Sequence, residues 1–337
     1  MFVAEDFNQF KALFINNLQA MLSDDELGAF ILVLANSLQD NPSRERLMEA
    51  LKQNGSALEQ RYHQCRLKAT DDDLTVFRQL LGQDIRALPL WQTRQSGGWE
   101  ITLNVLRALR PARSSAQILT SIRQTFDADR FHFNKAFLKP EILWQAIYRG
   151  VSLKVLYNKF PFSHYHLLIV IAAEKNQPQY LTRMAHDFIF ELAQDVVKNI
   201  PGFAIGYNSL AAGASVNHLH CQGFVRAASL PIEKKSWSHN GGNRPYPVRC
   251  LTADTQAQSW QLIEQCQQAN QPFNCLFRNG KVYVLPRVFQ GTVALPGWLK
   301  GCGWLDLCGV VTVSDKQAFD VINESAITQG LSLLEME

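Results

Sequence analysis

The chain has 337 residues, 47% of them hydrophobic, and a formal net charge of only +3 at neutral pH. This length and composition suffice for the core of one large domain or two smaller ones, and the small charge excludes a strongly basic nucleic-acid-binding protein. No run of about 18 apolar residues is present, and the amino terminus lacks the pattern of a secretory signal, so we expect no membrane contact and a cytoplasmic location.

Residues 1–70 are predicted to form a small helical N-terminal extension. Apolar side chains recur with helical spacing over residues 5–22, 24–39 and 43–66, and the polar breaks Ser23–Asp25 and Asn41–Ser43 offer N-caps. None of these residues points to chemistry. We therefore expect a structural appendage, with dimerisation and binding of a partner peptide left open.

Residues 71–337 are predicted to form one α+β domain with a mainly antiparallel sheet and flanking helices. Strand-like runs dominate from Thr75 onward, and the loop 233–247, rich in glycine, proline and polar residues, is expected to be irregular. The predicted strands are 100–106, 151–157, 166–172, 203–208, 216–225, 281–286 and 305–313, and the predicted helices are 177–198, 253–268 and 316–329.

The strongest chemical signal is the alternation of His218, His220 and Gln222 in the predicted strand 216–225. Alternate residues of a strand share one face, so two imidazoles and a carboxamide would lie together as a nucleophile, an orienting group and a neutral donor for a phosphoryl oxygen. Small residues at 211–215 would let an anionic ligand approach the backbone. Two half-buried structural histidines, or two ligands of a zinc site, are the alternatives.

A basic stretch precedes this motif. No acidic residue occurs between Glu100 and Asp127, whereas four arginines do: Arg107, Arg110, Arg113 and Arg123. Guanidinium groups suit phosphate oxygens, so this stretch is a candidate for binding a diphosphate or inorganic phosphate. An ordinary solvated basic surface is the competing interpretation.

The segment 206–222, with its His-x-His-x-Gln, resembles the active-site strand of the GDP-hexose phosphorylases. These belong to the galactose-1-phosphate uridylyltransferase (GalT) branch of the histidine-triad (HIT) superfamily, in which diadenosine tetraphosphate phosphorylases share the same strand. Segments 99–111, 131–135, 156–170 and 304–313 extend the resemblance in the same order, so that it covers roughly residues 74–330.

The resemblance implies a HIT-like/GalT-like fold and a two-step nucleotidyl transfer. His220 would be the nucleophile, Gln222 a donor to a non-bridging oxygen, and His218 an orienting group acting through backbone or phosphate contacts. Inorganic phosphate would be the co-substrate, with no other cofactor required. The expected substrate-binding residues are Asn208, Ser215, Asn217, Lys135, Arg110 and Arg113.

The substrate class implied is a nucleoside diphosphate sugar, with GDP-hexose favoured. A diadenosine tetraphosphate phosphorylase-like enzyme and a non-catalytic nucleotide-binding protein are the alternatives. Relatives usually carry Gly where this chain has Tyr165, and Pro where it has Ile171, which raises an altered substrate or an inactive site as possibilities.

Two further expectations concern metals and assembly. His164 and His166, with the two histidines of the motif, would suffice for zinc and a metal-dependent hydrolase, but a nucleophilic histidine cannot also bind metal, so we expect no metal site. Seven cysteines without a Cys-x-x-Cys pair are expected to be reduced thiols. We expect a monomer or a homodimer.

Overall fold

The computed structural model of the chain describes residues 2–24, 26–110 and 119–336. Its amino-terminal part is a group of four helices, α1 Phe7–Ala20, α2 Leu27–Ser37, α3 Asn41–His63 and α4 Asp71–Leu80. The three predicted helices are confirmed. Nearly every side chain of α2 is buried, because its run of apolar residues packs against α3, α4 and the turn that follows α1.

The helix ends follow ordinary capping chemistry, although not at every predicted residue. Asp6, Asp40 and Thr70 cap α1, α3 and α4 through their side chains, whereas α2 begins after Glu26 without a side-chain cap. The strand-like interpretation from Thr75 onward is wrong for α4. Three aspartates in the first turn of that helix interact favourably with its positive end and favour helix over strand. The boundary at residue 70 stays a prediction.

The central feature is an eight-stranded sheet in which every neighbouring pair is antiparallel. Its strands are β3 Ile142–Tyr148, β4 Val151–Tyr157, β5 Leu167–Ile171, β6 Phe203–Asn208, β7 His220–Val225, β8 Leu251–Ala253, β9 Phe273–Arg278 and β10 Lys281–Pro286. The spatial order is β3-β4-β5-β7-β6-β9-β10-β8. The strands β3, β8 and β9 were missed by sequence analysis, whereas β4, β6 and β10 match their predicted bounds.

The two faces of this sheet pack against different layers. Along β6, Phe203, Ile205 and Tyr207 join a core with the amino-terminal helices, α5 Arg183–Asn199 and α6 Gln256–Gln268. Ala204, which lies between Phe203 and Ile205 in the strand, points into a second core on the opposite face. That second core contains a three-stranded sheet, β1 Gln92–Ser96, β2 Trp99–Leu103 and β11 Val310–Val313, with α7 Trp304–Leu307, α8 Lys316–Val321 and α9 Glu324–Ser332.

Three predicted elements are corrected. The strand expected over 216–225 begins only at His220. The strand expected over 305–313 is split into α7 and β11, with Gly309 between them at a φ of 92°. The helix expected over 316–329 is divided into α8 and α9, because Asn323 adopts an extended conformation and caps α9. In the described residues, no helix combines the length and apolarity required to cross a bilayer.

Candidate active site

A cavity of about 920 Å³ opens at the end of the eight-stranded sheet where β6 and β7 meet. Asn208 at the end of β6 and His220 and Gln222 on β7 line it, together with residues 213–216 of the connection between the two strands. The cavity is large enough for a ligand of nucleotide size. Residues 213–215 of the connection have small side chains, so their backbone borders the cavity; the approach of an anionic ligand to it stays a prediction.

His220 is held as the tautomer whose free lone pair is on Nε2. Its Nδ1 lies 2.7 Å from the backbone carbonyl oxygen of His218, which only accepts hydrogen bonds, so Nδ1 carries the proton. Burial lowers the pKa of the His220 imidazole to about 4, and the ring is therefore neutral near pH 7. A neutral ring with an unprotonated Nε2 is the form of histidine that attacks phosphorus.

His218 helps to hold His220 in this orientation. It precedes β7, so the motif does not lie on one continuous strand as predicted, although the rings of His218 and His220 both pack against Phe133. Its Nδ1 accepts from the backbone N–H of Phe133 at 3.1 Å, and its Nε2 lies 3.3 Å from the carbonyl oxygen of Ala173. The ring is fully buried, and burial lowers its pKa to about 4. His218 therefore contacts His220 through its backbone carbonyl, while its side chain fixes the loop.

The carboxamide of Gln222 is oriented by two donors. The indole Nε1–H of Trp304, which can only donate, lies 2.7 Å from the Gln222 Oε1. His166 Nδ1 accepts from the N–H of Phe162 at 3.3 Å, so its proton is on Nε2, 3.2 Å from the same oxygen. With Oε1 occupied in this way, the NH₂ of Gln222 is left to donate on the cavity side.

Asn208 is oriented by the same logic. Its Oδ1 accepts from the Nδ2 of Asn274 at 2.6 Å and from the backbone N–H of Trp304 at 2.9 Å. The Asn274 Nδ2 also donates to the carbonyl of Ala212, which fixes the orientation of that amide. Trp304 thus fixes two amides, one through its backbone and one through its indole. Gly206 makes room for the indole, since a Cβ there would lie 2.3 Å from the ring.

The remaining predicted substrate-binding residues divide into two groups. Ser215 and Arg110 line the cavity. Asn217 and Lys135 do not appear among the described lining residues: Asn217 bonds to the backbone of Gln179 and of residues 124–125, and the Lys135 ammonium donates to the carbonyl of Ala128 at 3.0 Å. Arg113 lies outside the described residues.

The cavity is also lined by Arg107, which belongs to the basic stretch predicted to bind phosphate, and by Asp306, which was not predicted. The Arg107 guanidinium lies 4.9 Å from the ring centroid of Phe162 and donates to the carbonyl of Phe160 at 3.0 Å. Burial lowers its pKa to about 10, so it stays charged at neutral pH. Burial raises the pKa of the Asp306 carboxyl, whose Oδ2 accepts from the N–H of Gly303 at 2.9 Å. The arginine-rich stretch was the available signal for Arg107, whereas nothing in the sequence marked Asp306.

Tyr165 and Ile171, the two positions at which this chain differs from the phosphorylases that it resembles, are not among the described residues that line the cavity. Tyr165 has a φ of 50°, a region that glycine enters without strain, and its ring packs edge-on against Phe7, Phe10 and Phe14 of α1. Its backbone N–H donates to the Oε1 of Gln39 at 2.8 Å. Ile171 is buried at the end of β5. The tyrosine thus anchors the amino-terminal helices to the sheet.

The four histidines considered for zinc do not converge. His164 Nε2 lies 3.1 Å from the carbonyl of Gln39, against Trp91, while His166, His218 and His220 have the separate partners given above. Within residues 2–24, 26–110 and 119–336, no group of three or more His, Cys, Asp or Glu side chains is spaced to hold a metal ion.

The family described as GDPGP1-like, N-terminal domain, matches residues 95–224, which include β2 through nearly all of β7. GDP-D-glucose phosphorylase 1 of Danio rerio is 37% identical over 140 residues, which are 41% of this chain and 39% of that protein. The Bos taurus protein of the same name is 32% identical over 170 residues, 48% of this chain and 42% of its own length. GDP-L-galactose phosphorylase 2 of Arabidopsis thaliana is 30% identical over 235 residues, 59% of this chain and 54% of that protein.

The chain therefore spans about half the length of the curated relatives it matches. Among solved structures, the crystal structure of yeast Ap4A phosphorylase Apa2 superimposes with a TM-score of 0.50 at 14% identity, over 73% of this chain and 87% of that chain. The same enzyme in complex with Ap4A also gives a TM-score of 0.50. The α+β fold and the resemblance to the GDP-hexose phosphorylases are both confirmed.

Proposed function

We propose that the protein is a phosphorylase-type nucleotidyltransferase that cleaves a nucleoside diphosphate sugar, GDP-hexose in particular, with inorganic phosphate. The observation that carries the proposal is the tautomer of His220. Its Nδ1–H donates to the His218 carbonyl, so Nε2 is unprotonated. The ring lines the cavity together with Gln222. The matched relatives carry the names of GDP-hexose phosphorylases, which supports this substrate class.

In the first step, His220 Nε2 attacks the α-phosphorus, and the bond from that phosphorus to the bridging oxygen breaks. The hexose phosphate leaves with the electron pair, and a nucleotidyl-histidine forms. The modified imidazole carries positive charge, and the hydrogen bond from Nδ1–H to the His218 carbonyl at 2.7 Å would stabilise that charge.

Negative charge on the non-bridging oxygens would be met by oriented donors. The amide groups of Gln222 and Asn208 have their oxygens occupied by other donors, so their NH₂ groups need no reorganisation when the phosphorus becomes five-coordinate. We assign Ser215, Arg110 and Arg107 to further phosphate contacts, because all three line the cavity. Lys135 and Asn217 receive no substrate contact in this proposal.

In the second step, an oxygen of inorganic phosphate attacks the nucleotidyl-histidine. The N–P bond breaks, a nucleoside diphosphate leaves, and neutral His220 is restored. Two displacements retain the configuration at phosphorus. Gln222 cannot accept a proton from water as a histidine could, which favours phosphate over water as the acceptor.

The base would bind the aromatic part of the cavity. Phe131, Phe133 and Phe137 line it together, with ring centroids 5.9 Å apart for the first two and 6.2 Å for Phe131 and Phe137. Phe137 is 62% exposed although it is a large apolar side chain. An exposed ring on a cavity wall suits stacking with a purine.

The second candidate is cleavage of a dinucleotide such as diadenosine tetraphosphate, favoured by the shared fold with yeast Ap4A phosphorylase Apa2. A non-catalytic nucleotide-binding protein is disfavoured, because Tyr165 and Ile171 are not among the described lining residues and the set His220, Gln222 and Asn208 is intact. The cytoplasmic location and the oligomeric state stay predictions.

The proposal is tested by incubating the protein with α-phosphate-labelled GDP-glucose, ADP-glucose, UDP-glucose and diadenosine tetraphosphate, each with and without phosphate. We expect acid-labile label on the protein with GDP-glucose, and release of GDP only when phosphate is added. His220→Ala should take up no label, while the control His63→Ala, at an exposed position, should behave as wild type. Binding of a nucleotide without label or turnover would overturn the proposal in favour of a binding protein.

A further inference from the structure

The amino-terminal helices, expected to be a structural appendage, contribute one wall of the cavity. We call this the helical wall and define it by residues 26–29 at the start of α2, Arg61 of α3, and residues 68–70, 72 and 73 at the start of α4. The family match begins at residue 95, so the whole helical wall precedes the matched segment. Unlike the part of the cavity lined by Phe131, Phe133 and Phe137, the helical wall is rich in charged side chains.

An ion pair joins the helical wall to the sheet domain. The Lys159 ammonium, just after β4, lies 2.6 Å from Oδ1 of Asp73 in the first turn of α4. The two side chains are only 17% and 14% exposed, and both residues line the cavity. Gly28 packs against the pair, because a Cβ there would lie 3.2 Å from Asp73 Oδ2 and 3.3 Å from Lys159 Nζ. The pair is thus shielded from bulk water yet reachable from the cavity.

The pair lines the same cavity as the reacting groups, and the chain beside it leads to them. Lys159 follows Asn158, whose amide nitrogen lies 3.4 Å from the His166 Nε2 that orients Gln222. The Asn158 carbonyl accepts from Asn36 of α2 at 3.0 Å, which fixes this segment to the helices. A ligand whose α-phosphorus faces His220 therefore occupies a cavity that the pair also lines.

Sugar hydroxyls match this pair chemically. A hydroxyl donates to a carboxylate and accepts from an ammonium, so adjacent hydroxyls of a hexose can satisfy both groups at once. A purine offers a flat apolar face instead, which suits the phenylalanines. We propose that Asp73 and Lys159 form the subsite for the hexosyl group of the leaving hexose phosphate, so that the helical wall sets sugar selectivity. This proposal rests on the function proposed above.

The test compares Asp73→Asn with Asp71→Asn, a change of the same kind in the same turn of α4 at an exposed position outside the described cavity lining. For each variant, kcat/KM is measured with GDP-hexoses that differ in one hydroxyl configuration, and with the β-methyl ester of GDP, which has no hexose. A third measurement follows the release of GDP by phosphate from protein that is already labelled.

Asp73→Asn should lower kcat/KM for the preferred GDP-hexose by about 10- to 100-fold, the range for a lost hydrogen bond to a charged group. The ratio between hexoses should fall with it, while the methyl ester and the phosphate-driven release should stay within about twofold, because neither involves the hexose. Asp71→Asn should match wild type. If Asp73→Asn does not fold, Lys159→Gln gives the same expected pattern.

Unchanged ratios between hexoses in an Asp73→Asn protein that still takes up label would overturn this subsite and leave the proposed function intact. Equal losses for the hexoses and the methyl ester would also overturn it, since they would mean a general structural role. Absence of label in the wild type with every nucleotide would overturn the proposed function, and the subsite with it.

Discussion

Two walls of one cavity are built in different ways. We call one of them the catalytic wall and define it by Asn208, His220, Gln222 and Trp304, which orients the two amides. Hydrogen bonds of 2.6–3.2 Å between neutral donors and acceptors fix it. The helical wall is charged, and its Asp73–Lys159 pair joins two segments distant in sequence.

Under the proposed function, the catalytic wall carries the chemistry and the helical wall carries the selectivity for the sugar. Donors fixed in advance stabilise developing charge without reorganisation, which serves any substrate with the same phosphoryl group. A partly shielded ion pair can exchange one of its contacts for a sugar hydroxyl, which serves only one kind of substrate. We therefore expect changes in the catalytic wall to affect all nucleotides equally, and changes in the helical wall to depend on the sugar.

The largest effect is expected from Gln222→Glu. A carboxylate presents only acceptors and negative charge to the phosphoryl oxygens, so the rate of label uptake should fall by about 10³-fold with every nucleotide. Gln222→Leu, which removes the donor without adding charge, should lose about 10²-fold. Rapid-quench labelling measures both. A loss confined to one sugar would contradict the assignment of Gln222 to the catalytic wall.

Trp304→Phe should lower the labelling rate by about 10- to 100-fold through the loss of the indole N–H that orients Gln222. The backbone N–H to Asn208 remains, so KM should change little. The smaller ring at a fully buried position should lower the free energy of unfolding by about 1–3 kcal/mol, which urea unfolding measures separately. Trp260→Phe, which alters a tryptophan that packs on α5 rather than on the cavity, is the matched control. Equal rates for the two variants would show that the indole does not position Gln222.

Tyr165→Ala removes the aromatic contacts that attach α1 to the sheet domain, at the cost of about 3 kcal/mol in the free energy of unfolding. The labelling rate with the methyl ester of GDP should stay within about threefold, since Tyr165 is not among the described lining residues. Urea unfolding and labelling of the same preparation check both statements. A large loss of the labelling rate in a protein that remains folded would show that the attachment of the amino-terminal helices also affects the catalytic wall.

The smallest change in the labelling rate is expected from a shift of pH between 8 and 5. The nucleophile must be unprotonated, and burial lowers the pKa of His220 to about 4, so the labelling rate should be nearly constant in this range and fall as the pH falls through 4. A histidine with the ordinary pKa of 6.5 would lose more than tenfold by pH 5. Labelling is measured within milliseconds of a pH jump, so that the effect of protonating His220 is separated from acid unfolding.

The free energy of unfolding has a different pH dependence. The unfolded chain binds protons on these histidines below about pH 6.5, whereas the folded chain does not until about pH 4 for His218 and His220 and about pH 3 for His166. Stability is therefore complete above pH 6.5 and declines as the pH falls towards 4, by on the order of 1–2 kcal/mol per imidazole at pH 5. Constant stability over that window, measured by urea unfolding, would contradict the buried neutral state.

The sequence predicted the parts of the site that depend on local pattern. His220 and Gln222 alternate along one strand, so their shared face followed from the period of two. His218 was placed on the same strand incorrectly, because the strand begins only at His220 and the preceding turn follows long-range contacts with Phe133 and Ala173. The bounds of β4, β6 and β10 were recovered because these are apolar runs with clear ends.

What the sequence did not predict depends on residues far apart in the chain. Asn217 and Lys135 looked like ligand contacts, but both are committed to backbone carbonyls. The roles of Trp304 and of Asp73 with Lys159 depend on separations of 82 and 86 residues that no local pattern encodes. Tyr165 appeared to be a defect of the site, and only the packing of α1 identifies it as an anchor.

Mapping the covalent intermediate tests directly whether nucleotidyl transfer proceeds through His220. The protein is mixed with GDP-hexose in the absence of phosphate, quenched at alkaline pH to preserve a phosphoramidate, digested, and analysed by mass spectrometry. We predict a guanylyl group on the peptide that contains His220, lost when phosphate is added before the quench and absent from His220→Ala. A guanylyl group on any other residue, or turnover without a modified peptide, would contradict nucleotidyl transfer through His220.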